Sequence, residues 1–511
     1  MSPLNSTAAA VRPVQDPSAE RVLPVSTALE SRPAISLAFA DGIQHPVRAR
    51  MDYAFRVFAA LYGYPVATNP GAADMRFVYG GAGAPRHHTQ EFRVPSRYKA
   101  QPSTAAPNLQ RITHADEDFF LVYGRDPESG NPDWLGEIFE WLSGALELGI
   151  TERDGVGRIP YDATLFHRQK ISPFRPHAAL LMAWLDGALQ SAQRPALSAP
   201  PSPLRELRHA VVCTHDIDFS YTGRRHTAQR IGKNVVTSII EHHSPSFLLS
   251  NLKLATDCAR GLAVGDYIPR MVDEIEALGF RSTLFAVAER RHRRDPQYHI
   301  SVLSPSLRDA ASRGFEIGLH ASYTSLEGDS TVRREAGTLL ASTGIKPIGN
   351  RQHWLRMDHH ANLYAAVERA HFAYDSTLGF ATMCGFRNGA NFAFPPYDFE
   401  RERPCSFLEI PLAVMDGALH RASRTLRNDP QELTNQILSE SRKWGWGGFS
   451  VLWHNPIEPL QVPPEINAAF WAAAREQKQH GEQWMTARDF VNLALPQYQR
   501  AGLLRKVCLD A

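Results

Sequence analysis

The sequence predicts an α/β protein assembled from parallel βα units, and three observations predict it. From about residue 205 onward, short apolar, β-branched runs alternate with stretches of helical periodicity. Several of those helical stretches stop at a glycine (Gly279, Gly314 and Gly344), the residue that ends a helix in a left-handed turn at least cost. A stretch holding Pro195, Pro200, Pro201 and Pro203 separates this region from what precedes it and reads as a linker. Parallel βα units of this kind close into a barrel or lie in an open sheet.

The elements follow in chain order. Residues 1–33 are rich in Pro, Ser and Ala and read as a loose tail. Residues 34–190 read as a smaller α/β domain. Within it, 56–80 alternates apolar runs with Gly and Asn, 135–150 has the period of an amphipathic helix, and 178–189 is a second helix. The linker spans 191–204. The second domain, 205–495, opens with a strand at 209–214. A helix at 268–278, a strand at 282–287, a helix at 307–312 and a strand at 315–319 follow. Helices at 332–342 and 363–370 and a late strand at 449–453 complete the pattern. Residues 221–265 break that rhythm and read as an insertion, and 496–511 as a tail.

Composition excludes several function classes. Lys and Arg number 55 against 53 Asp and Glu, a net charge of +2, which lacks the basic excess of a dedicated nucleic-acid binder. Five scattered cysteines (Cys213, Cys258, Cys384, Cys405 and Cys508) form no paired motif, so neither a disulfide framework nor a thiolate zinc site is expected. The first residues lack the apolar core of a secretory signal. The longest apolar run, 178–185, is far short of the roughly 20 residues that cross a bilayer. A cytoplasmic protein without a membrane span is the expectation.

In βα architectures functional groups gather where strands end. The first strand runs into Thr214-His215-Asp216-Ile217-Asp218. Carboxylates two positions apart face the same way, one suited to a cation and the other to base catalysis. Taken alone, an Asp-rich turn is the plainer reading. The strand at 315–319 ends in His320, and a loop near 349–356 carries Arg351, His353 and Trp354. Asp375 follows a helix and a short strand, and His454 follows the last strand. Asp-x-Asp, His, Arg, Asp and His, each beyond a strand, form the set that metal-assisted hydrolysis of an amide or ester requires.

Other features carry less. The pairs His87-His88, His242-His243 and His359-His360 diverge on a strand or helix and rarely chelate one ion. The run Arg290 to Arg294 reads as a solvated surface, with contact to an anionic glycan as the lesser reading. Cys213 beside His215 leaves a thiol nucleophile as a remote alternative to a buried strand residue.

Over about 204–495 the chain resembles the polysaccharide deacetylase superfamily (carbohydrate esterase family 4), as a divergent branch with an additional N-terminal domain. THDID looks like the family's first motif, GFEIGLHASYTS its second, TGIKPIGNRQHWLRM its third, YDSTLGF its fourth and VLWHN its fifth. The resemblance implies a distorted (β/α) barrel with the site at the strand C-termini. It implies Asp216 as catalytic base, Asp218 and His320 as metal ligands, and Arg351 as the group that orients the base. It further implies Asp375 as support for Arg351 or His454, and His454 as general acid. Trp354, Tyr323 and His215 are the expected substrate contacts.

One departure matters. The family's second motif has two His four residues apart, and here the second position is Thr324. A hydroxyl is a poor ligand for zinc-like ions, so either fewer protein groups hold the metal or another His replaces the missing one, with His353 the candidate. The implied cofactor is a divalent ion, zinc first, with cobalt, nickel, iron or manganese open. The implied substrate is a carbohydrate bearing N-acetyl or related N-acyl groups, in bacterial surface-polysaccharide metabolism. Two rivals remain: a glycan-binding or scaffold protein that has lost its metal, and a deacylase of a small N-acyl compound.

Overall fold

The computed structural model describes residues 33–504 except 70–71, 81–90, 101–106, 193–209, 219–223, 243–244, 261–265, 329, 358–359, 445–446, 458–461 and 481–482. Most of the expected linker and the three His-His pairs lie outside the residues whose side chains are described. Residues Arg32–Ala511 form one compact unit, in which a continuous apolar core runs from Ile35 to Leu504.

The N-terminal part is itself α/β. Strands β1 (Ile35–Phe39), β2 (Met75–Tyr79) and β3 (Glu91–Val94) form a parallel sheet. The helix His45–Tyr62 crosses from β1 to β2, and its length and apolar face bury Met51, Phe55 and Phe58. An antiparallel hairpin follows, β4 (Gln110–His114) and β5 (Glu117–Leu121). The helix expected at 135–150 is Trp134–Ser143, cut short by Gly144 at φ 78° and continued as a single 3-10 turn. The second helix is His177–Ala192.

Strands β6 (Val211–Asp216), β7 (Thr283–Ala286), β8 (Glu316–Ala321), β9 (Gly349–Gln352) and β10 (Tyr374–Asp375) then pair side by side, all parallel. Helices Ile268–Ala277, Ile300–Ser312, Thr331–Thr343 and His360–Arg369 connect them, so each crossover matches a helix read from the periodicity. The three glycines expected to stop helices sit at φ 75–88°. Gly349 answers a different need. A Cβ there would lie 1.9 Å from the Tyr374 ring, which crosses it on the neighbouring strand.

Closure of the sheet decides between barrel and open sheet. A short hairpin, β11 (Tyr397–Asp398) with β12 (Arg403–Pro404), precedes one extended segment that holds β13 (Leu408–Glu409) and β14 (Leu412–Met415). Strand β13 pairs with β10. Strand β14 pairs with β15 (Phe449–Leu452), which lies against the other edge of β6. The single segment therefore touches both edges, with Ile410 N bonded to Asp375 O at 2.8 Å and Ser450 N to Pro411 O at 2.7 Å. The result is a parallel barrel, distorted because β10 and β13 contribute only two residues each. Strand β16 (Trp484–Met485) adds to β6 at the end remote from Asp216. The expected insertion at 221–265 is helical where described, over Arg224–Thr237 and Pro245–Ala259. No helix among the described residues is long and apolar enough to cross a membrane.

Candidate metal centre and active site

The chemistry-bearing side chains stand at the C-terminal ends of the barrel strands, where parallel packing leaves a shared mouth. Strand β6 ends at Asp216. A tight turn (Asp218 N to Asp216 O, 3.0 Å) then brings Asp218 to the same side, while Ile217 between them is buried in the core. His320 lies near the end of β8. His353 directly follows β9, and His454 follows β15 by one residue.

Asp218 is the meeting point. Its carboxylate oxygens lie 3.6 Å from His320 Nε2, 3.5 Å from His353 Nε2 and 3.7 Å from His454 Nε2, and Asp216 is 3.5 Å from His320 Nε2. These separations are long for hydrogen bonds. They match atoms that share one ion: ligands about 2.1 Å from a tetrahedral centre are about 3.4 Å apart. One ligand atom each from Asp218, His320 and His353 lies within 4.8 Å of the others. Oδ1 of Asp216 and Oδ1 of Asp218 are buried without a hydrogen-bond donor, as carboxylate oxygens awaiting a cation would be. The donor set, two imidazoles and carboxylate oxygen, suits zinc and its first-row neighbours.

The imidazoles are oriented from behind. His320 Nδ1 is 2.9 Å from the Arg351 carbonyl, which can only accept, so Nδ1 carries the proton and Nε2 offers its lone pair to the centre. His353 Nδ1 meets Asp295 at 3.0 Å, and His454 Nδ1 meets Asp416 at 2.9 Å. Burial works against charge on His353, but Asp218 and Asp295 outweigh it and push the imidazole up to about 9. Burial alone would raise Asp218, yet His353, His320 and His454 hold it well below the usual carboxylate range. Such an environment calls for positive charge, which a proton or a metal cation can supply.

Thr324 caps a 3-10 turn, Ser325–Glu327, and is not among the residues lining the cavity. His353 lies with Asp218 and His320 in the cluster. The loop carrying it is strained: Trp354 and Leu355 sit at φ 65° and 50°, left-handed values that cost non-glycine residues about 1–3 kcal/mol each. The turn leaves Trp354 on the rim, 43% exposed.

Asp216 and His454 each face a charged partner, Arg351 and Asp416 respectively. Asp216 Oδ1 is 3.6 Å from the Arg351 guanidinium, which is wholly buried over the Phe285 ring at 4.8 Å and bonded to Ser376 Oγ at 2.8 Å. Burial lowers the His454 imidazole's affinity for its proton, but Asp416 more than restores it, raising the group to about 9.

Three expectations need correction. Asp375 does not meet His454. It accepts from Asn350 Nδ2 at 2.7 Å and from Thr377 N, lies beside Glu409 and acts on Arg351 only through its charge. His215, alternate to Asp216 on β6, points away from the mouth, with Nδ1 on Trp453 O at 2.6 Å and its ring against Phe470. The Tyr323 ring also lies off the cavity wall, stacked on His292 at 4.6 Å and capped by Arg294 and Arg356. The Cys213 thiol is buried and pushed well up by that burial, which leaves no reactive thiolate.

Sequence reasoning missed Asp416 and Asp295. A signal existed for Asp416: PLAVMDG is a short apolar run bounded by Pro411 and Gly417, a strand with an acid at its end. Asp295 sits in an irregular loop with no periodic signal.

The centre opens into a cavity of about 590 Å³ walled by Trp354, Leu355 and Met415 with several basic residues. No protein-family model matches the chain, and no curated protein matches it. Among solved structures it is similar to a polysaccharide deacetylase from Bacillus cereus. That match has 11% identity and a TM-score of 0.28, covering 44% of this chain and 87% of that one. It is also similar to a family 4 carbohydrate esterase from Streptomyces lividans (12%, TM-score 0.24, covering 52% and 89%). A third is a peptidoglycan deacetylase from Bacillus subtilis (11%, TM-score 0.28, covering 58% and 96%). Likeness of this degree leaves the site to be read from its own residues.

Proposed function

We propose that the chain is a divergent member of the polysaccharide deacetylase superfamily, a metal-dependent hydrolase that removes N-acetyl or related N-acyl groups from a sugar. The observation that carries this reading is the convergence of His320, His353 and His454 Nε2 on Asp218, beside a buried Asp216. Asp218, His320 and His353 would hold a divalent cation, with zinc the best match to the donors. Such an ion supplies Lewis-acid polarisation of an acyl oxygen and eases deprotonation of water.

The chain's own residues do the rest. Asp216 accepts a proton from the attacking water, and the Arg351 guanidinium 3.6 Å away keeps its carboxylate aimed. His454, held protonated by Asp416, gives its proton to the departing amine. The walls of the cavity restrict water and orient the sugar, with Trp354 as a face on which a ring can rest. His353 supplies the ligand that Thr324 cannot, which favours hydrolysis over the metal-free glycan-binding reading.

Elemental analysis of purified protein, paired with acetate release from a panel of N-acetyl sugars, tests the proposal. The expected result is one ion per chain and acetate released by the wild type. Asp216→Asn should retain the ion and lose about 10²–10⁴-fold in turnover, the range for a positioned base. Absence of an ion, or full turnover in Asp216→Asn, would overturn it.

A further inference from the structure

The acids lining the cavity are all accounted for: Asp216 and Asp218 at the centre, Asp295 on His353 and Asp416 on His454. The basic residues are not. Arg158, Lys233, Arg293, Arg294 and Arg421 line the same cavity from four separate stretches of chain. Arg158 is neutralised by Asp154 at 2.7 Å, but no carboxylate among the described residues lies within 4.0 Å of the other four. Two of them, Arg293 and Arg294, belong to the basic run at 290–294, whose Arg291 faces Glu289 instead.

Arg294 is also held in place. Its guanidinium lies 5.1 Å from the Tyr323 ring centroid and 5.3 Å from that of Trp354, the residue whose left-handed backbone sets it on the rim. Unpaired cations around one concave mouth repel each other and focus a positive potential into it. A neutral glycan makes no use of that potential. Guanidinium forks match the oxygens of phosphate or carboxylate, and phosphate answers several cations at once with two charges and three free oxygens.

We propose that the sugar this site takes is itself anionic, with a phosphoryl-class substituent held at the mouth by Arg293, Arg294 and Arg421 while its N-acyl group reaches Asp218. The inference rests on the deacylase reading above. Calorimetric titration of the metal-loaded protein with N-acetylglucosamine 1-phosphate, N-acetylglucosamine and an N-acetylhexosaminuronate tests it, with acetate release measured in parallel. The phosphorylated sugar should bind at least tenfold more tightly than the neutral one. That gap should shrink with added salt and close in Arg294→Gln/Arg421→Gln, with single Arg421→Gln showing a partial loss. Equal affinity for charged and neutral sugars overturns the inference, whether or not acetate appears, and so does preference for the uronate over the phosphate. Preferential phosphate binding without acetate release from any sugar supports the anionic mouth and overturns the deacylase reading instead.

Discussion

The Asp295 carboxylate meets Nδ1 of His353 at 3.0 Å, and by doing so it turns Nε2 of the same ring toward Asp218. Two residues distant in sequence thus convert a loop histidine into a candidate ligand. Asp295 is itself fixed, accepting from the backbone N–H groups of Arg291, His292 and Tyr323 at 2.7–2.9 Å. Outer partners of this kind set the tautomer and aim of a ligand.

Asp295→Asn should therefore weaken metal binding by about 10–100-fold while leaving the barrel folded. Competitive titration against a chelator reads the affinity directly. Unchanged affinity would place the third ligand elsewhere than His353.

Asp416→Asn should move the basic limb of the pH–activity profile. His454 is raised above the free imidazole value despite burial, because Asp416 faces its Nδ1. A raised group keeps its proton below its own pKa and loses it as pH rises. Without the Asp416 charge the proton leaves sooner, so activity should fall at lower pH than in the wild type. Profiles of kcat/KM for the two proteins check this. Coincident basic limbs would remove His454 from the role of acid.

The N-terminal part is pinned to the barrel by a buried ion pair. Arg387 meets Glu147 at 2.7–3.2 Å and donates to Gly379 O at 3.0 Å. Glu147→Ala leaves the guanidinium buried without its counter-charge and should cost about 3–5 kcal/mol. Arg387→Met/Glu147→Met should recover much of that loss, since an apolar pair removes both desolvation costs. Urea midpoints of the three proteins measure the difference.

Acid should act through His177. Its ring is buried and stacked on Trp141 at 4.8 Å, and burial lowers its pKa to about 4. The unfolded chain binds that proton near pH 6.5 and the folded chain near pH 4. Stability is thus present above pH 6.5 and lost as pH falls between the two, by about 3 kcal/mol for this group. His177→Gln should flatten that part of the stability curve when denaturant midpoints are compared at pH 7 and 4.5. An unchanged slope would assign the acid sensitivity to other groups.

What could be read in the chain follows from what is local. Helix Ile268–Ala277 lies within one residue of its expected end, because a 3.6-residue period and a glycine stop are short-range signals. Asp216, Asp218, His320 and His454 were legible as strand-end residues for the same reason. The segment at 408–415 was only half legible: the apolar run of β14 marks a strand before Asp416, but the two-residue β13 and Pro411 break the alternation ahead of it. The facing of His215 is implicit in the period of two, which sends it opposite to Asp216, but only the packed helix Pro464–Gln479 with Phe470 shows which side is core.

The sequence by itself determined the βα rhythm and the order of the strand-end acids and imidazoles. Tertiary structure alone decided that one segment seals the barrel, that Asp295 and Asp416 stand behind two histidines, and that four cations without a carboxylate partner among the described residues share one mouth. The division has a physical cause. Helix period, turns and caps are set by neighbours a few residues apart. Tautomer, ligand aim and cavity potential depend on groups tens or hundreds of residues apart that meet only once the ring has closed.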